Sequence, residues 1–135
     1  MEFSTVSVIM ETKGKKLPVI QNKCEFAGYD ASKLLKETAT IRDLITKRAT
    51  LEILFPLCCT TEPVRHKQFK ESLKGISSKT LSTRLTELVS EGILERQTFA
   101  EVPPRVEYKL TKKGQELIES ITDLLEWMRK WSKMK

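Results

Sequence analysis

Gly75-Ile76-Ser77-Ser78-Lys79-Thr80-Leu81-Ser82-Thr83-Arg84-Leu85-Thr86-Glu87-Leu88-Val89-Ser90-Glu91-Gly92-Ile93-Leu94-Glu95-Arg96 is the stretch on which the fold turns. Leu81, Leu85, Leu88 and Val89 recur at helical steps, which puts them on one buried stripe. Ser77 or Ser78 supplies an acceptor for the unpaired N–H groups of the first turn, and Gly92 supplies the left-handed residue that ends a helix cheaply. Outward near the N-terminus stand Ser78, Lys79, Thr80, Ser82, Thr83 and Arg84, polar or cationic throughout, with Arg84 turned either outward or inward by its place in the helix. Such a face suits a helix that enters the DNA major groove; taken alone it suits a solvated surface equally well. The flanks decide.

Upstream, His66 to Lys74 reads as a short helix with Phe69 and Leu73 one turn apart, and Gly75-Ile76-Ser77 turns it into the next: a helix-turn-helix. Downstream, Ile93 to Phe99 and Val106 to Leu110 read as strands, the second with Val106, Tyr108 and Leu110 on one face and Glu107 and Lys109 on the other. Between them Pro103 and Pro104 lack N–H donors, so Ala100 to Arg105 cannot extend the ladder and forms a stiff loop tipped by Arg105. A two-helix reader followed by a basic-tipped hairpin is a winged helix-turn-helix, mainly α with a small β-hairpin.

The runs GISSKTLSTRLTELVSEGILER and VPPRVEYKLTKKG, in that order and at that separation, resemble the HxlR branch of winged-helix transcriptional regulators, related to the MarR group. The resemblance extends from roughly Thr50 to the C-terminus. It implies a dimeric, cytoplasmic regulator that binds double-stranded DNA, with Ser77 to Arg84 opening the recognition helix and Arg105 as the wing cation. There are departures. Lys47-Arg48-Ala49-Thr50-Leu51 stands where the family usually has Gly-Lys-Trp-Thr-Leu, so the Trp is lost. His66 replaces a Phe that usually opens the second helix, and the loop around Cys59 to Glu62 is slightly longer. Several relatives carry a redox-active Cys just before the Gly-Lys-Trp position; the nearest upstream Cys here is the distant Cys24.

The charge distribution agrees with that reading. Net charge is +6, a modest excess of the sign nucleic acid requires. Between Arg65 and Arg84 the cations Arg65, Lys67, Lys70, Lys74, Lys79 and Arg84 meet a single acid, Glu71, which reads as a phosphate-facing stripe. The expected DNA contacts are Arg65, Lys67, Ser77, Ser78, Lys79, Thr80, Ser82, Thr83, Arg84, Pro104 and Arg105. A winged helix that docks proteins should expose aromatics or leucines on its second helix, and this one does not. Sequence-specific binding of a two-fold symmetric site therefore outranks both protein docking and nonspecific nucleic-acid binding, with repression the commoner outcome for a small dimer.

Other chemistries find little support. With 135 residues the chain is expected to form one domain around a single core. No apolar run reaches membrane-spanning length and no secretion leader opens the chain, so the cytoplasm is the expected location, with no membrane partner. Three cysteines and one histidine supply neither a disulfide framework nor a zinc set, so no metal or cofactor is expected. Leu51 to Cys59 reads as a buried helix, kinked or restarted near Pro56, with Cys58 and Cys59 as small apolar fillers at its end. Cys24 lies in a less apolar stretch and is the candidate redox thiol. The glycines are scattered singly rather than gathered into a phosphate-cradling loop, and Glu116 and Glu119 fall on a solvated helix face, so an enzyme is not expected.

The ends of the chain are the assembly candidates. Thr111 caps a last helix from Lys112 to about Trp131, on which Leu117, Ile121, Leu124, Met128 and Trp131 share a face widened by Ile118, Leu125 and Trp127. Such a face covers either its own core or a symmetry mate, and the family resemblance favours a homodimer. Asp30 caps a helical pattern through Leu34, Leu35, Ile41, Leu44 and Ile45, either one long helix or two broken near Thr38 to Thr40. The expected dimer interface comprises Leu34, Leu35, Ile121, Leu124, Leu125, Met128 and Trp131. The expected organisation is an N-terminal extension over 1–29, a winged helix-turn-helix over 30–111 and a dimerisation helix over 112–135. Within the extension, Val6 to Met10 and Leu17 to Ile20 form either a hairpin about Lys13-Gly14 or a mobile tail.

Overall fold

The computed structural model describes Glu25, Phe26 and residues 28–134. The expected hairpin between Val6 and Ile20, and Cys24, lie outside the described residues. Two short strands, β1 (Glu25–Phe26) and β2 (Tyr29–Asp30), pair antiparallel and lead into helix α1 (Ala31–Glu37). Asp30 caps α1, its Oδ1 accepting from the N–H groups of Ser32 and Lys33 at 3.0 and 3.3 Å. The helical pattern resolves into two pieces, because Thr38 ends α1 with its hydroxyl turned onto the Leu34 carbonyl, and α2 (Ala39–Ile45) starts afresh. By their contacts the residues divide into two units, one ending at Thr38 and the other running from Ala39.

The second unit carries α2, α3 (Thr50–Cys58), β3 (Val64–Arg65), α4 (His66–Ser72), α5 (Ser78–Ser90), β4 (Leu94–Phe99), β5 (Arg105–Leu110) and α6 (Lys112–Ser132). Its core is built from Ile53, Leu54 and Leu57 of α3, Phe69 of α4, the α5 stripe Leu81, Leu85 and Leu88, then Ile93, Leu94, Tyr108 and Ile118. Each such side chain contributes about 1.5–3 kcal/mol by leaving water. The apolar stripe of α5 therefore faces inward as its spacing predicts, with Val89 half-buried at its edge.

Gly92 ends α5 as expected. It sits at φ +76°, its N–H bonds to Val89 O, and the N–H of Ile93 reaches back to Leu88 O, each at 3.0 Å. This paired arrangement satisfies carbonyls that the helix end would otherwise strand and turns the buried Ile93 into the core. Gly114, in the first turn of α6, is needed for space rather than for a dihedral: a Cβ there would collide with the Ile93 carbonyl and crowd Leu110. The α6 N-terminus thus lies directly on the start of β4, where Thr111 caps it by accepting from the Gly114 N–H at 3.0 Å.

Three details differ from the sequence reading. The wing is a three-stranded sheet in the order β3-β5-β4, because Val64 and Arg65 pair with Tyr108 and Glu107. α3 runs as one helix through Pro56, so of the two expected alternatives a fresh start there is excluded. Cys58 and Cys59 are exposed rather than buried fillers, since the inward stripe Thr50, Ile53, Leu54, Leu57 is complete one residue before the helix ends. The Cys58 thiol donates to the Phe55 carbonyl at 3.0 Å and lies 3.7 Å from the Cys59 sulfur. Partial desolvation, then the neighbouring thiol, push its pKa up, the opposite of what a reactive thiolate needs.

Candidate nucleic-acid interface

The N-terminus of α5 is fixed by Ser77, whose Oγ accepts the Thr80 N–H at 3.1 Å and whose hydroxyl donates to Thr80 Oγ1 at the same distance. Ser77 is thus the cap, and its hydroxyl is engaged within the chain. Thr80 is half-buried beside it. Ser78, Lys79, Ser82 and Thr83 remain exposed and share the outward face. Gly75, at φ +86°, makes the turn between α4 and α5 that presents this face.

Arg84 belongs elsewhere. Its side chain is only 15% exposed, its Nε donates to the Arg48 carbonyl at 2.8 Å, and its Nη1 meets Glu87 Oε1 at 2.7 Å. Of the two orientations open to it, the inward one is taken. Lys47 Nζ meets the other Glu87 oxygen at 2.8 Å, and the Arg48 guanidinium donates to the Gly75 carbonyl at 2.9 Å. The Lys47 hydrogen bond foremost, then that from Arg84, hold the Glu87 carboxyl below the usual carboxylate range against its partial desolvation. These contacts clamp the link between α2 and α3 onto α5 and its preceding turn. Sequence reasoning missed the clamp because Lys47 and Glu87 lie far apart in the chain and only the fold brings them together.

The wing is braced in a similar way. Arg105 opens β5, with its guanidinium 4.0 Å from the centre of the Phe99 ring. It lies 3.2 Å from Glu101 Oε2 through Nη1 and 3.2 Å from Glu107 Oε2 through Nε, and is 26% exposed. The expectation of a cation at the wing tip is therefore corrected: the tip consists of Val102, Pro103 and Pro104, and Arg105 is folded back against two carboxylates and a ring. Between wing and α4 runs an open trough of about 540 Å³, with Arg65, Lys67 and Lys70 along one wall and Glu101 to Arg105 along the other. Lys67 and Lys70 are exposed; Arg65, also exposed, approaches Glu107 at 3.8 Å. His66 lines both this trough and the cleft that Ser82 of α5 borders, so the trough adjoins that outward residue.

Along α6 the buried positions are Gly114, Ile118 and Ile121, one helical stripe, of which Gly114 meets the start of β4 and Ile118 joins the core. Ile121 is 5% exposed, so its expected place between two copies is corrected: it is already covered within the chain. Leu125 is half-buried. Leu124, Trp127, Met128 and Trp131 form a second stripe that stays exposed, and Leu34 and Leu35 are exposed on α1. Among the described residues no helix is long and apolar enough to cross a membrane, and no His, Cys, Asp or Glu cluster is placed to hold a metal ion.

The family model for the HxlR-like helix-turn-helix matches residues 44–135, the span that holds clamp, recognition helix, wing and α6. The chain belongs to the HxlR-like helix-turn-helix family. An uncharacterized HTH-type transcriptional regulator of Halalkalibacterium halodurans is 37% identical over 75 residues, 56% of this chain and 66% of that protein. Another, YvaP of Bacillus subtilis, is 34% identical over 89 residues, 66% of this chain and 81% of that protein. The fold matches the structure of a protein assigned to the MarR family of transcriptional regulators from Enterococcus faecalis at TM-score 0.65 and 25% identity, over 82% of this chain and 94% of that one. The HxlR-type chain is thus a helix-turn-helix transcriptional regulator, a class that acts by binding DNA, on a winged-helix fold of six helices and a three-stranded antiparallel sheet among its described residues.

Proposed function

We propose that this HxlR-type regulator is a cytoplasmic homodimer that binds a two-fold symmetric double-stranded site and represses transcription by occupying it. Two copies of α5 enter successive major grooves about 34 Å apart on one face of the duplex. Ser78, Lys79, Ser82 and Thr83 read base edges or adjacent phosphates, while Arg65 and Lys67 hold the backbone along the trough. Pro104 at the wing tip packs against the flanking minor groove or backbone, and Arg105 holds the wing's shape.

One observation carries this reading: α5 exposes hydroxyls and a lysine on its outward face, with no large apolar side chain that a protein-docking helix would use. The exposed stripe Leu124, Trp127, Met128, Trp131 supports assembly, since a solvated run of two tryptophans and two large aliphatics is costly unless a second copy covers it. Leu34 and Leu35 are proposed as interface residues in the first unit. Family membership supports a binding protein rather than an enzyme.

Selection of bound sites from random duplexes with the purified full chain tests the proposal. A palindromic consensus with half-sites about one helical turn apart is the expected result. Recovery of no consensus, with all duplexes held equally, overturns it in favour of nonspecific binding.

A further inference from the structure

His66 opens α4 beside the recognition helix, and its Nε2 lies 3.2 Å from the Ser82 Oγ of α5. His66 is half-buried, and the chain on either side of it is held. Arg65 before it is paired with Glu107 in the sheet, the Arg65 N–H is held by Gln68 Oε1 at 2.8 Å, and Phe69 meets Tyr108 edge-on at 6.2 Å. Ser82 itself is exposed, at the mouth of a cleft of about 440 Å³ that His66 and Ser82 line together with Thr86, Arg96 and Tyr108. The geometry points to His66 as a specificity-determining positioning residue, which fixes whether the recognition helix offers a base edge the proton or the lone pairs of the Ser82 hydroxyl.

A free serine hydroxyl rotates, so it donates to one base edge and accepts from another with little discrimination. Each neutral tautomer of His66 narrows that freedom in its own way. With the lone pair on Nε2, Ser82 donates to the ring and keeps its acceptor sites for the amino groups of adenine or cytosine. With the proton on Nε2, Ser82 accepts from the ring and turns its own proton toward the oxygen or nitrogen acceptors of guanine, adenine or thymine. The first tautomer leaves Ser82 with acceptor sites alone, whereas the second leaves it a proton to offer and one lone pair besides. The inference rests on α5 facing the groove, as proposed above.

The test repeats site selection with His66→Phe, which keeps ring volume and loses the hydrogen bond, with His66→Gln, which keeps a hydrogen-bonding group, and with Ser82→Ala. His66→Phe is expected to lower the preference at one half-site position about tenfold while the rest of the consensus persists, and His66→Gln to retain part of it. Ser82→Ala should flatten the same position, and adding His66→Phe to it should change nothing more. An unaltered consensus in Ser82→Ala, or in a folded His66→Phe, overturns the inference and leaves the proposed function standing. If the unmodified protein selects no consensus, the proposed function and the inference fall together.

Discussion

Arg84 donates through Nε to the main-chain carbonyl of Arg48, 2.8 Å away, while the Arg48 side chain holds the carbonyl of Gly75. One arginine thus anchors the recognition helix to the α2–α3 link, and the other anchors the turn that precedes it. Replacing Arg84 by Ala should lower stability by about 1–2 kcal/mol, because a charge-assisted bond is lost and its acceptor is stranded. Arg84→Lys should recover little of it, since an ammonium cannot serve Arg48 and Glu87 with the same fork. Urea unfolding measures both; equal stability of all three proteins would remove Arg84 from the clamp.

Glu87 makes the same clamp sensitive to acid. Its carboxyl titrates lower in the folded chain than in the unfolded one, so its contribution is fully present above the unfolded value of about 4.3. As pH falls through the folded value the contribution disappears. Stability should therefore drop less steeply as pH falls below about 5 in Glu87→Gln than in the unmodified protein. Parallel denaturation curves across that range would show that the pairings with Lys47 and Arg84 are energetically idle.

Wing and trough cations should separate by salt dependence. Lys67 is exposed beside the trough, so Lys67→Ala should reduce the slope of log affinity against log salt by about one. Arg105 is already balanced by Glu101 and Glu107, so Arg105→Ala should weaken binding by loosening the wing while the slope stays nearly constant. A full unit of slope lost in Arg105→Ala would mean that the side chain leaves its partners for phosphate.

Trp131 tests assembly. Its exposed ring on the second α6 stripe is proposed as an anchor between copies, and Trp131→Ala should cost the dimer about 2 kcal/mol or more. Sedimentation across a concentration series reads the shift. An unmodified protein that remains monomeric throughout would eliminate the proposed interface.

Gly114→Ala addresses the fold alone. The added methyl has nowhere to go between the Ile93 carbonyl and Leu110, so stability should fall by about 1–3 kcal/mol despite the better helix propensity of alanine. Thermal unfolding decides it, and a stabilised variant would show that α6 shifts freely on the sheet.

Local chemistry accounts for what was legible in advance. The inward leucines of α5, the stop at Gly92, the caps at Asp30 and Thr111 and the strands flanking the prolines all follow from spacing and from which backbone groups need a partner. These are short-range demands, so a linear string expresses them. The pairing of Val64 and Arg65 with β5 was not legible, because two residues carry no periodicity. Charge alone likewise left open which cations face outward. Arg84 and Lys79 look alike in sequence, yet one bonds a carbonyl from a segment thirty-six positions away and the other faces solvent.

The string of residues by itself determined a capped, glycine-terminated helix after a tight turn and before a proline-broken hairpin, and with it the winged-helix class. Only the tertiary structure decided that Arg84 and Arg105 serve as braces, that Ile121 is covered within its own chain, and that His66 holds Ser82. The physical reason is range. Helix and turn preferences are settled by neighbours a few residues apart, whereas the direction of a long charged side chain depends on which acceptor the folded chain brings within about 3 Å of it.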